Sequence, residues 1–202
     1  MNDLVRDIVQ TPRQLTIAAL AGNAGTGGVS LALAANCVMA RDDIVLNPHY
    51  KSMGNLYGSE YWTYLLPRRI GASAVRMLVD NRLPLGARPA AAIGLVDQCV
   101  YPDGAPFATA VEHVAAALAQ YERFGGLLDA KNAWRAQDEA RKPLSAYREE
   151  ELGRMRLNFF GVDSSYHVAR YNFVRKSARS RTPQRQFIAK VAPEYTRSLV
   201  LA

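Results

Sequence analysis

The sequence predicts an α/β fold that passes into a helical region, on three observations. Short apolar runs that read as strands alternate with helical patterns as far as residue 101. A glycine-rich turn at 22–28 joins one such run to an alanine- and leucine-rich helix. From residue 106 onwards, helical patterns follow one another without strands. With 49% apolar and 21% charged residues over 202 positions, a packed core is feasible, in one domain or one domain with an appendage.

A helix is expected over 2–9, with Asn2 as its cap, Asp3 in its first turn and Thr11-Pro12 as its stop. Residues 14–20 read as a buried strand, 22–28 as the glycine turn and 29–35 as a buried helix. Short strands at 37–40 and 44–46 flank the polar turn Arg41-Asp42-Asp43. A loop over 47–59 leads to helices at 60–66 and 73–79. Residues 85–93 form a further helix capped by Gly94, and 95–101 the last strand. Helices follow at 106–124, closed by Gly125-Gly126, and at 131–141, stopped before Pro143. Ser145 is expected to cap another, with Glu149, Glu150 and Glu151 near its positive end. Only about four strands emerge, fewer than the ~5–6 of a usual sheet. The expectation is therefore a small sheet or one that lacks part of its domain.

The formal net charge is +7, but +6 of it falls in residues 175–202, where seven basic residues meet one acid, Glu194. The body is close to neutral, so the distribution speaks against nucleic-acid binding and for a loose, solvated basic tail. Cys37 and Cys99 sit in apolar runs and read as buried free thiols in a reducing compartment, which places the protein in the cytoplasm. No run of 18 apolar residues suggests a membrane span, and the start lacks the pattern of a signal peptide. His49, His113 and His167 have no ligand spacing, so no metal site is expected.

The glycine turn is the strongest chemical signal. Glycines let backbone approach a ligand, and amides at a helix start point at negative charge. No Lys-Ser/Thr follows, which excludes a Walker loop. Gly25-Thr26-Gly27 is followed by Ser30 where a dinucleotide fingerprint needs its last glycine. Residues 18–36, together with Asn47-Pro48-His49-Tyr50-Lys51-Ser52-Met53-Gly54 and the stretch 87–97 ending in Gly94-Leu95-Val96-Asp97, resemble the crotonase (enoyl-CoA hydratase/isomerase) superfamily. The resemblance covers roughly residues 1–125 and departs at Asn36, where the family usually has Asp. It implies a partial ββα spiral core over 1–125, a helical region over 126–174 and the tail at 175–202. It further implies an acyl-CoA thioester ligand, held in an oxyanion hole for which Gly27 supplies one amide. The other donor lies upstream in the family, so an N-terminally truncated chain is expected.

By the same resemblance, the two glutamates with which hydratases activate water fall on Ser30 and Tyr50, neither a carboxylate, so water addition is poorly supported. The loop 47–69 and the segment 166–174 are similar to the HypX/HoxX family of hydrogenase maturation proteins, in which a formyl-transferase half precedes a crotonase half. That similarity implies decarbonylation of formyl-CoA to the carbon monoxide ligand of nickel–iron hydrogenase. Tyr50 and Glu60 match the family's catalytic pair, and folate is implied only through the absent N-terminal half. Gly28, Ser30, His49, Tyr57 and Trp62 are expected as pocket or neighbouring residues, and hydrogenase maturation proteins as partners. An oligomer is compatible with all of this. Two alternatives stay open: a generic acyl-CoA enzyme of the superfamily, and a non-catalytic remnant or docking module. Read without the resemblance, Glu60 is a first-turn helix acid and Tyr50 a packing aromatic.

Overall fold

This computed structural model describes residues 1–101 and 106–177. All of the basic segment at 175–202 except its first three residues lies outside the described residues. The elements are α1 (Asn2–Gln10), β1 (Ile17–Leu20), α2 (Thr26–Leu33), β2 (Cys37–Arg41), β3 (Val45–Leu46), α3 (Trp62–Asn81), β4 (Leu85–Gly86), α4 (Ala87–Ala92), β5 (Gln98–Val100), α5 (Phe107–Ala119), α6 (Phe124–Arg141), α7 (Leu144–Phe160) and α8 (Ser165–Val174). The expected α/β body followed by helices is present.

The central sheet is parallel, in the order β1-β2-β5, with Ile17 opposite Cys37 and Met39 opposite Gln98. Helix α2 makes the crossover between β1 and β2. Apolar side chains from both ends of the chain share one core: Val5 of α1, Val29 and Leu33 of α2, Val38 of β2, Leu65 and Leu66 of α3, Leu95, and Leu144 of α7. Leu144 is 2% exposed. Burying a leucine in this way contributes roughly 1.5–3 kcal/mol, enough to fasten α7 to the body.

Two family-like motifs serve the fold. Asn36, where the superfamily usually has Asp, accepts from the amide and hydroxyl of Thr16, both at 3.0 Å, and ties the end of α2 to the start of β1. Asp97 accepts from the Val38 amide at 2.7 Å and from Arg69 at 2.7 Å, linking the segment before β5 to β2 and α3. Gly94, at φ +81, follows the Ile93 C-cap of α4. Its amide bonds Ala91 O and the Leu95 amide bonds Ala90 O, the Schellman pairing that needs a left-handed residue there.

Several expectations are corrected. Met1 is the N-cap of α1, and the Asn2 side chain serves a distant amide instead. Helix α2 starts at Thr26, so Gly27 and Gly28 lie in its first turn. The stretch expected as one helix over 85–93 opens with β4, which pairs antiparallel with β3. Gly125 and Gly126 sit in the first turn of α6 and do not close α5. Pro143, whose ring fixes φ for a helix start, is the N-cap of α7 in place of Ser145. Cys37 and Cys99 are free but only half-buried. The break expected between 66 and 73 is a kink at Gly71, φ +76, inside α3.

Gly54, at φ +67, packs its α-carbon against α8. A methyl group there would lie 2.3 Å from the Ser165 carbonyl oxygen. Gly54→Ala should therefore cost about 1–3 kcal/mol, read as a lower midpoint in urea unfolding at unchanged slope.

Candidate active site

The glycine turn is stitched to the neighbouring loop by backbone. Ala24 donates to Val45 O at 3.0 Å, Asn47 donates to Ala24 O at 2.9 Å, and the Asn23 side chain accepts from the Val45 amide at 2.8 Å. The start of the 47–61 loop is thereby fixed beside the N-terminus of α2. The first-turn amides there have no intrahelical acceptor four residues back, and the helix dipole favours negative charge.

Three groups converge at this helix start. The Tyr50 hydroxyl donates to Glu60 Oε2. A methyl group built on Gly27 would stand 3.1 Å from the Tyr50 hydroxyl and 4.0 Å from Glu60 Oε2. The Tyr50 ring lies over Gly58, at φ +85, where a methyl group would come within 2.0 Å of the ring. Only glycine admits both that backbone and that ring. Burial, and next the Glu60 carboxylate beside it, push the Tyr50 phenol well above its usual range, while a hydrogen bond with Thr26 opposes them. The phenol is accordingly held protonated, as a donor.

Glu60 is aimed by an unusual backbone. Gly54, Asn55, Gly58, Glu60 and Tyr61 all have positive φ, and Glu60 and Tyr61 are consecutive at +64 and +59. Left-handed Glu and Tyr cost of order 1–3 kcal/mol each and persist only where surroundings over-determine them. Here they do. The Glu60 amide donates to Asn2 Oδ1 at 2.9 Å, the Tyr61 amide to Glu151 Oε2 at 2.8 Å, and the buried Ser59 hydroxyl to Glu60 Oε1 at 3.0 Å.

The remaining sequence-expected residues divide. Ser30, 4% exposed, lies one turn after Gly27 on α2. Gly28 faces Ala24, away from the phenol. His49, Tyr57 and Trp62 line a small cavity of about 10 Å3 that Tyr50 also borders, together with Lys51, Leu56 and Val79. The Tyr57 and Trp62 ring centroids are 5.3 Å apart. Both His49 nitrogens and Trp62 Nε1 are buried without a hydrogen-bond partner among the described residues, and the cavity is about the size that holds one water. A larger concavity of about 700 Å3, lined by Val9, Leu33, Arg68, Arg69, Trp134 and Asp138 among others, contains none of Tyr50, Glu60 and Gly27.

Burial is the main cause that holds the His49 imidazole below its usual pKa, opposed by the nearby Leu83 and Arg82 backbone, whose approach falls short of a well-formed hydrogen bond, so folding disfavours the protonated ring. The unfolded chain takes up a proton near pH ~6.5 and the folded one only at lower pH. Stability from this group is thus full above that pH and is lost as pH falls towards the folded value. Thermal melting should drop between pH 7 and pH 5, and His49→Gln should flatten that drop.

Sequence reasoning missed four residues. Thr26 stands beside the Tyr50 hydroxyl. Asn2, expected as a helix cap, holds the Glu60 amide. Glu151, expected near the positive end of its own helix, is fully buried against the start of α3. Asn158 accepts from the Tyr57 amide at 2.9 Å. Their partners lie far off in sequence, where periodicity carries no signal. The spacing of Glu151 and Asn158, seven apart on one helical face, is the one local hint.

A strand–turn–helix with glycines at the helix start, on a parallel β1-β2-β5 sheet, fits a protein of the crotonase type. The enoyl-CoA hydratase/isomerase family model matches residues 1–156, and the chain belongs to that family. Within it, the chain is similar to the hydrogenase maturation factor HoxX of Bradyrhizobium diazoefficiens, with 52% identity over 183 residues, 91% of this chain and 32% of that protein. Among solved structures, HypX from Aquifex aeolicus in complex with tetrahydrofolic acid superposes with a TM-score of 0.82 at 42% identity, covering 90% of this chain and 32% of that one. An enoyl-CoA hydratase from Mycobacterium avium subsp. paratuberculosis shares the fold, with a TM-score of 0.73 at 23% identity over 87% of this chain and 68% of that one. The chain spans about a third of the length of HoxX and HypX. Among the described residues, no helix is long and apolar enough to cross a membrane, and no cluster of three metal-ligating side chains occurs.

Proposed function

We propose that the chain is the thioester-handling part of a hydrogenase maturation factor, and that its Tyr50–Glu60 pair decarbonylates formyl-CoA to carbon monoxide and coenzyme A. The observation that carries this reading is the meeting of a protonated phenol, a carboxylate and the α2 first turn at Gly27. No second carboxylate replaces the hydratase pair at position 30 or 50.

In this reading the Gly27 amide polarises the thioester carbonyl, a contact worth ~3–4 kcal/mol in comparable oxyanion holes. Glu60 takes the formyl proton. The carbon–sulfur bond breaks, carbon monoxide leaves, and Tyr50 hands its proton to the thiolate. The proton on Glu60 then returns to Tyr50 through their hydrogen bond. One C–H and one C–S bond are lost and one S–H bond forms, with no oxidant or reductant consumed. Coenzyme A is the carrier, and hydrogenase maturation proteins in the cytoplasm are the proposed recipients. Folate chemistry is assigned to the part of the longer relatives outside the matched third.

The test offers formyl-CoA and crotonyl-CoA in parallel to the chain itself and to HoxX carrying this chain in place of its matched region. Carbon monoxide is trapped by haemoglobin and hydration followed by loss of the enoyl absorbance. Carbon monoxide without hydration is expected. Hydration of crotonyl-CoA without carbon monoxide would assign a generic acyl-CoA enzyme, and neither product from folded protein a non-catalytic module.

A further inference from the structure

We infer that Glu151 of α7 is the positioning residue for Glu60, capping α3 from outside and so locking the carboxylate against Tyr50. This rests on the reading of Tyr50 and Glu60 as the reacting pair. Helix α3 has Tyr61 at its N-cap, in a left-handed conformation and with no side-chain cap of its own. The missing acceptor comes from ninety residues further along the chain. Glu151 Oε2 accepts from the Tyr61 amide at 2.8 Å. Its Oε1 accepts from the Thr63 amide at 2.9 Å and the Thr63 hydroxyl at 2.6 Å. Both oxygens are thus spent on the first turn of α3, at the positive end of its dipole.

The Glu151 carboxylate is 0% exposed. Burial pushes the Glu151 carboxyl above its usual pKa, and the hydrogen bonds from Thr63 and from the Tyr61 amide oppose that shift. The residue it grips, Tyr61, directly follows Glu60. With Asn2 on the Glu60 amide, two distant side chains fix the two consecutive left-handed residues. The same face of α7 holds the preceding part of the loop, because Asn158 accepts from the Tyr57 amide at 2.9 Å. Arg148 on α7 pairs with Asp3 at 2.8 Å and draws α1 into the same assembly. Helix α7 is therefore the template on which the 55–63 segment takes its shape.

The consequence is read without turnover. In the full chain with tyrosines labelled at Cζ, the carbon-13 signal of Tyr50, assigned through Tyr50→Phe, reports its hydrogen bond to Glu60. Glu151→Gln puts an amide donor against N–H groups that need an acceptor. It should move the Tyr50 signal in the direction that Glu60→Gln moves it, with little further change in the double variant. Thr63→Val, which removes one donor and keeps the fold, should give a smaller shift of the same sign. Where carbon monoxide forms, Glu151→Gln should lower kcat about 10–100-fold with KM nearly unchanged, as expected of a displaced carboxylate. A Tyr50 signal that stays in place in both Glu151→Gln and Thr63→Val, while moving in Glu60→Gln, overturns the proposal. A signal unmoved by Glu60→Gln instead breaks the Tyr50–Glu60 pairing and with it the functional reading.

Discussion

Glu60→Gln should cut carbon monoxide formation by about 10²–10⁴-fold while leaving coenzyme A thioester binding within a few-fold of normal, the range for loss of a positioned proton acceptor. Glutamine keeps the shape of the side chain, but its single carbonyl oxygen can accept from only one of Tyr50 and Ser59, and its NH2 can donate to the other hydroxyl, so folding should be spared while the proton acceptor is lost. Tyr50→Phe should produce a comparable loss for the complementary reason. The ring still covers Gly58, but the sulfur loses its proton donor. Because the two groups act through one hydrogen bond, the double variant should be scarcely worse than either single one. Isothermal titration with acetyl-CoA separates binding from chemistry.

Gly27→Ala should separate stability from activity. Alanine in a helix is favoured over glycine by about 0.5–1 kcal/mol, and Gly27 lies in the first turn of α2. Its new methyl group would stand 3.1 Å from the Tyr50 hydroxyl, and the phenol has little room to retreat. Its ring is seated on Gly58 and its oxygen is bonded to Glu60. The melting temperature should therefore change by no more than a few degrees, while the rate falls at least about tenfold through a displaced hydroxyl. Gly28→Ala is the control. Its methyl would meet only Ala24 Cβ at 3.8 Å, an ordinary contact, and activity should persist.

The contrast between these two glycines marks how far the sequence could be read. The turn at 22–28, the α2 helix and the separation of Tyr50 from Glu60 are local features. Their pattern, together with the resemblance to crotonases, led to the α/β fold and to the residues that the structure brings together. Strand β4 escaped because Leu85–Gly86 is two residues long and pairs only with the equally short β3, leaving no period to detect. The glycines at 125 and 126 misled for the opposite reason, since their stop signal was overridden where α6 begins. Asn2 and Glu151 were read as local helix electrostatics, because a helix-terminal Asn and a run of three acids usually are. Their partners, the amides of residues 60 and 61, become visible only once α1 and α7 pack on either side of the loop. His49 was legible as a neighbour of the site. That its ring nitrogens, like Trp62 Nε1, have no well-formed hydrogen bond among the described residues is a property of packing.

The most direct measurement counts products from carbon-13-labelled formyl-CoA, with carbon monoxide read by its haem complex, formate by nuclear magnetic resonance and free thiol by a colorimetric reagent. The account predicts one carbon monoxide for each thiol released and no labelled formate. Thiol accompanied by stoichiometric formate would mean that water, and not the Tyr50–Glu60 proton shuttle, cleaves the thioester, and would contradict it.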